Sequence, residues 1–315
     1  MFEPYADDVR IDALGNVIAV KYAKKKNVPS VMIEAHCDEI GLMVTSVTKE
    51  GFINFANVGG VDPRILPSLE VTVHGKRDVW GVVGIKPAYL LEDGKSVKIK
   101  DMAIDTALPY DTVKELISVG DSITISQSVG KLGTKQWSGK TLDDRASLAA
   151  VIEIMKNLNN VDLNTDVYAV AAVQEEVGCR GGKVSAYGIN PTLAVAIDVT
   201  HGITPDNSDG AFELGSGAVV AVGPNIHPKL SKRLFETAKK HKIKTETEVE
   251  GGDTGTDAWE MQTAADGIPT ALLSIPLKYM HTSVETLAVS DVEAIVSLLE
   301  NFIKELEEDM SWLSL

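Results

Sequence analysis

At 315 residues the chain exceeds the usual size of one compact core, so one large domain with a smaller insertion is expected. Its 44% hydrophobic and 24% charged residues are those of an ordinary globular protein, and no apolar run is long enough to span a bilayer. The 45 acidic residues against 30 basic ones give a formal charge of −15, which repels phosphate backbones and argues against general nucleic-acid binding.

In chain order, the first residues, Met1-Phe2-Glu3-Pro4-Tyr5, offer neither a basic stretch nor an apolar segment of signal-peptide length, so a cytoplasmic location is expected. Cys37 and Cys179 are the only cysteines, and reduced thiols are the simpler reading. Ser30 to Ala35 reads as a strand that leads into His36-Cys37-Asp38. Between Leu66 and Thr134 the pattern changes to short strands broken by Gly, Pro and Asp: Leu69 to Val73, Val79 to Ile85, Val97 to Ile99 and Ser122 to Ser126. This predicts a compact β-barrel or sandwich inserted at 66–134 into a domain made of 1–65 and 135–315.

After Asp143-Asp144, apolar Leu148, Val151, Ile152, Met155 and Leu158 recur at three and four residues and predict an amphipathic helix. Val167 to Val173 is a second strand, leading into Gln174-Glu175-Glu176, and Leu193 to Ile197 a third, ending at Asp198. Leu230, Leu234, Phe235 and Ala238 outline a weaker helix. Thr270 to Ile275 is a fourth strand, passing through Pro276 and reaching His281 a few residues later. The last helix opens with Ser290 and Glu293 at capping-box spacing and buries Val292, Ile295, Val296, Leu299, Phe302, Ile303 and Leu306. Near-continuous Val, Ile, Leu and Ala marks strands covered on both faces, so the fold class is α/β, a three-layer mixed sheet with helices on both faces.

In open α/β sheets ligands collect beyond the carboxyl ends of strands, which turns four separate strand endings into one candidate site. The His and carboxylate residues there suit zinc, cobalt or manganese. Two ions need a bridging carboxylate, and Asp143 is the choice because it sits at a loop-to-helix junction facing the same edge. Asp38, two residues after His36, can accept the imidazole's second N–H. Glu175 and Glu176 are successive residues whose side chains point apart, so one can bind metal while the other faces substrate as a base.

Taken singly, each of these residues has a commoner explanation. A lone histidine after a strand is usually a satisfied residue, Asp143-Asp144 can be a helix cap and a first-turn acid, and Asp198 can cap a turn. Cys37 and Cys179 read as small buried hydrophobes. His74, His201, His227 and His241 close no ligand pattern. Coincidence at one sheet edge is what raises the set above these explanations.

Ala35-His36-Cys37-Asp38-Glu39-Ile40-Gly41, Leu142-Asp143-Asp144-Arg145-Ala146, Gln174-Glu175-Glu176-Val177-Gly178 and Tyr279-Met280-His281-Thr282-Ser283-Val284-Glu285 resemble the signature segments of the tetrahedral (TET) aminopeptidases. These belong to the glutamyl and deblocking aminopeptidase group, some of whose members carry the label cellulase M or endoglucanase. The likeness runs from about Asp12 to the last helix. It implies a zinc-peptidase-like fold and two divalent metal ions, one on His36, Asp143 and Asp198 and the other on Asp143, Glu176 and His281. It further implies that Glu175 is the base, that Asp38 orients His36, and that the Asp143-Asp144 peptide is cis. The inserted domain resembles the family's dimerisation domain, which implies self-assembly into a homo-oligomer, from dimer to hollow dodecamer, acting on peptides.

Two departures stand out. Family members usually begin with an additional helix and loop before the segment resembling Tyr5 to Val20. Where this chain has Gly251-Gly252-Asp253-Thr254-Gly255-Thr256-Asp257-Ala258, the family more often has a shorter GGTDA-like turn, and the polar groups here are expected to help shape the substrate pocket. Two other functions compete. A β-glucan glycoside hydrolase needs two carboxyls facing across a sugar, about 5 to 9.5 Å apart, and would leave both histidines idle. A non-catalytic assembly protein with structural metal would have a closed and often cysteine-rich site.

Overall fold

The computed structural model describes residues 1–87 and 97–315. Residues 88–96 of the predicted insert lie outside the described residues. The chain forms two compact units, one of Met1–Asp38, Gly130–Met280 and Glu285–Leu315, the other of Glu39–Val129 and His281–Val284.

The first unit opens with β1 (Asp8–Ile11), β2 (Val17–Lys21) and β3 (Ser30–His36). The second unit carries β4 (Gly41–Val47), β5 (Ile53–Val58), β6 (Glu70–His74), β7 (Asp78–Ile85), β8 (Met102–Asp105), α1 (Tyr110–Leu116) and β9 (Ser122–Ile125). The first unit then resumes with β10 (Gly130–Leu132), β11 (Gln136–Gly139), α2 (Leu142–Leu158), β12 (Asp166–Ala172), α3 (Arg180–Ile189) and β13 (Leu193–His201). It is completed by β14 (Ala218–Val222), α4 (Pro228–His241), β15 (Thr245–Val249), α5 (Asp257–Met261), β16 (Thr270–Leu277), β17 (Glu285–Ala288) and α6 (Val289–Lys304).

In the first unit an eight-stranded sheet runs in the order β1-β2-β12-β3-β13-β16-β14-β15. Its centre, β12-β3-β13-β16, is parallel, so the carboxyl ends of these four strands share one edge. These are the four apolar runs of the sequence, and all but the outermost residues of β3, β13 and β16 are buried. One face packs against α2, α4 and α6 through Val31, Ile33, Ile154, Leu158, Leu234 and Phe302. The other face packs Met32, Val170, Ala196 and Leu272 against Ala186 of α3 and Ala258 and Met261 of α5. This is the expected three-layer mixed α/β sheet. A separate three-stranded sheet, β10-β11-β17, completes the unit.

The second unit is a closed barrel in the order β4-β5-β8-β7-β6-β9. Its limits differ from the predicted 66–134. β4 and β5 belong to it, with Leu42, Val44, Ile53 and Phe55 pointing inward, because closure requires β4 to pair with β9 (Leu42 beside Ile123). Val97 to Ile99 is not a strand. Ile99–Asp101 forms a 3-10 turn, and the strand at that point is β8, which pairs with β7.

The predicted capping box of the last helix is also absent. β17 runs straight into α6, so Ala288 takes the cap position without a side-chain bond and Ser290 lies inside the first turn. The side chain that matters there is Asp291, which is fully buried and accepts the backbone N–H groups of Gly215 (2.7 Å) and Gly217 (2.9 Å). No helix among the described residues is long and apolar enough to cross a membrane.

Candidate metal centre and active site

His36 is the last residue of β3, and the ladder to β12 continues one step beyond it through Cys37 N–H to the Ala172 carbonyl (2.8 Å). β13 carries Asp198 three residues before its end, because its pairing with β16 continues to His201 and Leu277. Asp198 therefore lies within a strand, where the sequence predicts it just past one. α2 enters beside these strands. Asp143 and Asp144, joined by a cis peptide, have non-helical backbone angles at its start. Asp143 N–H donates to Glu285 Oε2 (3.1 Å), and Ser147 Oγ donates to the Asp198 carbonyl (3.3 Å), which seats the helix start on β13.

After β12 the chain turns sharply. Gln174 adopts φ 62°, and the Glu175 carbonyl then accepts N–H groups from Gly178 (2.8 Å) and Cys179 (2.9 Å). Asp38 accepts the backbone N–H of Glu175 (3.1 Å) and of Glu176 (3.3 Å).

These elements converge on His36, which is 2% exposed. Its Nε2 lies 3.1 Å from Asp143 Oδ1, 3.9 Å from Glu175 Oε2 and 4.0 Å from Asp198 Oδ1, while Nδ1 lies 3.5 Å from Asp38 Oδ1. Two overlapping groups offer ligand atoms within 4.8 Å of one another: His36, Asp143 and Glu176, and His36, Asp144 and Asp198. The family resemblance groups His36 and Asp198 with Asp143; Asp143 Oδ1 is the carboxylate oxygen nearest His36 Nε2, and Asp144 adds a second aspartate within reach of His36 and Asp198. From the sequence, Asp144 has only the reading of a first-turn acid, since two successive aspartates before a helix have an ordinary capping explanation. His281 belongs to the second unit, where its Nδ1 donates to the Gly60 carbonyl (3.2 Å).

Burial and mutual repulsion dominate the electrostatics of this cluster. Burial, and then the Asp198 charge, push Asp144 well above the ordinary carboxylate range. Asp198 is raised as well, by burial and then by Asp143 and Glu175, against the opposing His36 charge. Burial lifts Glu175 to about 7. For His36, burial opposes the charged form, but the adjoining Asp143 and Asp38 carboxylates outweigh it and raise the pKa well above the usual value. Carboxylates crowded into one dry site need positive charge to remain ionised together. Oxygen donors with an imidazole, and no cysteine facing them as ligand, are the donor set of a divalent cation.

Two further acids are buried: Glu34, which no sequence motif singles out, and Asp257, which falls in the segment expected to help shape the substrate pocket. Glu34 is 1% exposed and Asp257 2% exposed. Burial followed by the Asp257 charge raises Glu34, and burial raises Asp257. The available signal was position: Glu34 is two residues before His36, on the same face of β3. Of the histidines set aside, His74 bonds Asp78 (2.8 Å) and Thr124 (2.9 Å), and His241 bonds Glu305 (2.6 Å).

Comparison with known proteins adds relatives to this geometry. The family model for M42 glutamyl aminopeptidase matches residues 15–298. A lysyl aminopeptidase of Pyrococcus furiosus is 37% identical over 312 residues, spanning 96% of this chain and 88% of the relative. The fold resembles aminopeptidase APDkam598 from the archaeon Desulfurococcus kamchatkensis, with a TM-score of 0.91 at 32% identity over 99% of this chain and 89% of the other. It also resembles the Pyrococcus horikoshii TET1 peptidase, with a TM-score of 0.84 at 34% identity over 95% and 90% of the two chains. That peptidase can assemble into a tetrahedron or a large octahedral shell.

Proposed function

Because the chain belongs to the M42 glutamyl aminopeptidase family, we propose that it removes N-terminal residues from peptides with two divalent cations held by His36, Asp143, Glu176, Asp198 and His281. The observation that carries this reading is the approach of three carboxylates, from Asp143, Glu175 and Asp198, to within 4.0 Å of His36 Nε2. His281 enters through its signature segment. Zinc is the expected metal, with cobalt or manganese acceptable to the same donors.

When bound, such cations polarise a scissile carbonyl and make water a stronger acid. The protein's own groups do the rest. Asp38, whose Oδ1 lies 3.5 Å from His36 Nδ1, orients the ring from that side while Nε2 faces the other carboxylates. Glu175 takes the proton of the attacking water and returns it to the leaving amine, the two transfers of a single general acid–base group. The barrel supports assembly of a homo-oligomer, a reading suggested by the assembly of the Pyrococcus horikoshii peptidase into a tetrahedron or a large octahedral shell, and the protein acts in the cytoplasm.

A two-carboxylate glycosidase fits this arrangement less well. Glu175 and Glu176 hang from one Asp38 carboxylate by adjacent amides, so they do not face each other across a sugar. Chelation followed by add-back of zinc, cobalt or manganese, assayed on a panel of aminoacyl chromogenic substrates, tests the proposal. Activity should disappear on chelation and return with metal, and Glu175→Gln should keep its metal and lose turnover. Full hydrolysis by the chelated protein would overturn the reading.

A further inference from the structure

The two carboxylate oxygens of Glu175 face different neighbours. Oε2 looks toward His36 Nε2 at 3.9 Å, whereas Oε1 accepts the thiol of Cys179 at 3.2 Å. We propose that Cys179 is a positioning residue for this reaction: its S–H fixes the Glu175 side chain from the far side and so presents one chosen oxygen to the reacting water. The inference rests on Glu175 being the base.

The backbone is arranged to place the thiol there. Glu175 and Cys179 are the ends of a single turn, closed by Cys179 N–H to the Glu175 carbonyl at 2.9 Å. Cys179 occupies the left-handed region (φ 52°, ψ 37°) as the cap residue of α3, and Gly178 before it has φ 121°. Asp38 meanwhile holds the Glu175 amide at 3.1 Å. With the backbone pinned on one side and a donor on the other, the carboxylate has little rotamer freedom left to lose when substrate binds. Burial and then the Glu175 charge raise the thiol's pKa, so the sulfur keeps its proton and serves as a donor rather than a nucleophile. Cys37, the other thiol, is raised by burial and Asp38 and has no corresponding bond among the described residues.

Cysteine, serine and alanine share the same Cβ, so exchange among them leaves the left-handed backbone equally strained and isolates the donor. The metal-loaded full-length protein is compared as wild type, Cys179→Ala, Cys179→Ser and Glu175→Gln, with kcat, KM and metal content measured on the best aminoacyl p-nitroanilide of a panel. Cys179→Ala is expected to lose about tenfold in kcat, the scale of one hydrogen bond to a charged group made by a weak donor, at unchanged KM and metal content. Cys179→Ser should recover most of that loss. Wild-type kcat in Cys179→Ala, equal impairment of the alanine and serine variants, or loss of metal from Cys179→Ala overturns the inference. Full turnover by Glu175→Gln would instead remove the base assignment, and this inference with it. An inactive Glu175→Gln beside a fully active Cys179→Ala would sink the inference alone.

Discussion

Asp38 Oδ1 accepts the backbone N–H of Glu175 at 3.1 Å. The same oxygen lies 3.5 Å from His36 Nδ1, and Oδ2 takes the Glu176 N–H at 3.3 Å. One side chain therefore aligns the end of β3 with the glutamate pair after β12. Asp38→Ala should weaken metal binding by about 10- to 100-fold, the usual cost of losing a carboxylate behind a ligating histidine. Asp38→Asn keeps an acceptor and should lose less. Metal titration by calorimetry, with kcat/KM on the reconstituted variants, measures both.

Gly60 offers a test of His281 that leaves the imidazole in place. A Cβ at residue 60 would stand 2.7 Å from His281 Nδ1 and 2.9 Å from its Cε1, so Gly60→Ala must push the ring aside. If His281 ligates, this variant should bind one of the two cations at least about tenfold more weakly, while its melting changes little, as for most exposed positions. Unchanged stoichiometry by elemental analysis would remove His281 from the ligand set.

The crowded carboxylates should give the metal-free protein an unusual dependence on pH. Asp144 and Asp198 are raised well above 3.8, and Glu175 is raised from 4.5 to about 7. Between the unfolded and folded values the native state binds more protons than the unfolded chain, so stability falls as pH rises through that window. His36, also raised, acts in the same direction, since its contribution is present below 6.5 and lost as pH passes its folded value. Chelated protein should melt at a higher temperature at pH 6 than at pH 8. Cations take over the role of the protons, so metal-loaded protein should show the opposite order. Calorimetric scans of both forms at the two pH values decide this, and a chelated protein more stable at pH 8 would contradict the electrostatic account.

Asp291 should prove a structural carboxylate. It is fully buried at the start of α6 and accepts two amide hydrogen bonds. Asp291→Ala leaves both donors buried and should cost about 3 kcal/mol. Gly217→Ala should be worse, because the residue has φ 108° and a Cβ there would lie 2.2 Å from the Lys244 carbonyl oxygen. Urea unfolding followed by circular dichroism gives both values.

The parallel centre of the sheet was legible in the sequence. Ser30 to Ala35 and Val167 to Val173 are largely covered on both faces, so they carry little alternation and read as near-continuous apolar runs, with Glu34 the exception. α2 was legible for the same kind of reason, since its buried Val151, Met155 and Leu158 recur with the helical period. The start of the barrel was not. β4 and β5 belong to it only because Leu42 comes to lie beside Ile123, a pairing across some eighty residues that no local pattern carries. Ser290 shows the opposite failure: the local capping signal was present, but the direct passage from β17 into α6 left it unused.

The sequence alone determined which residue types follow the apolar strand segments, because residue identity and apolar periodicity are local properties. Only the tertiary structure decided which donors share space. Asp144 beside Asp198, Asp38 beneath both glutamates and the Cys179 thiol on Glu175 follow from the register of parallel strands and the angles of two tight turns. Those distances are set by packing between segments far apart in the chain, to which composition and spacing are blind.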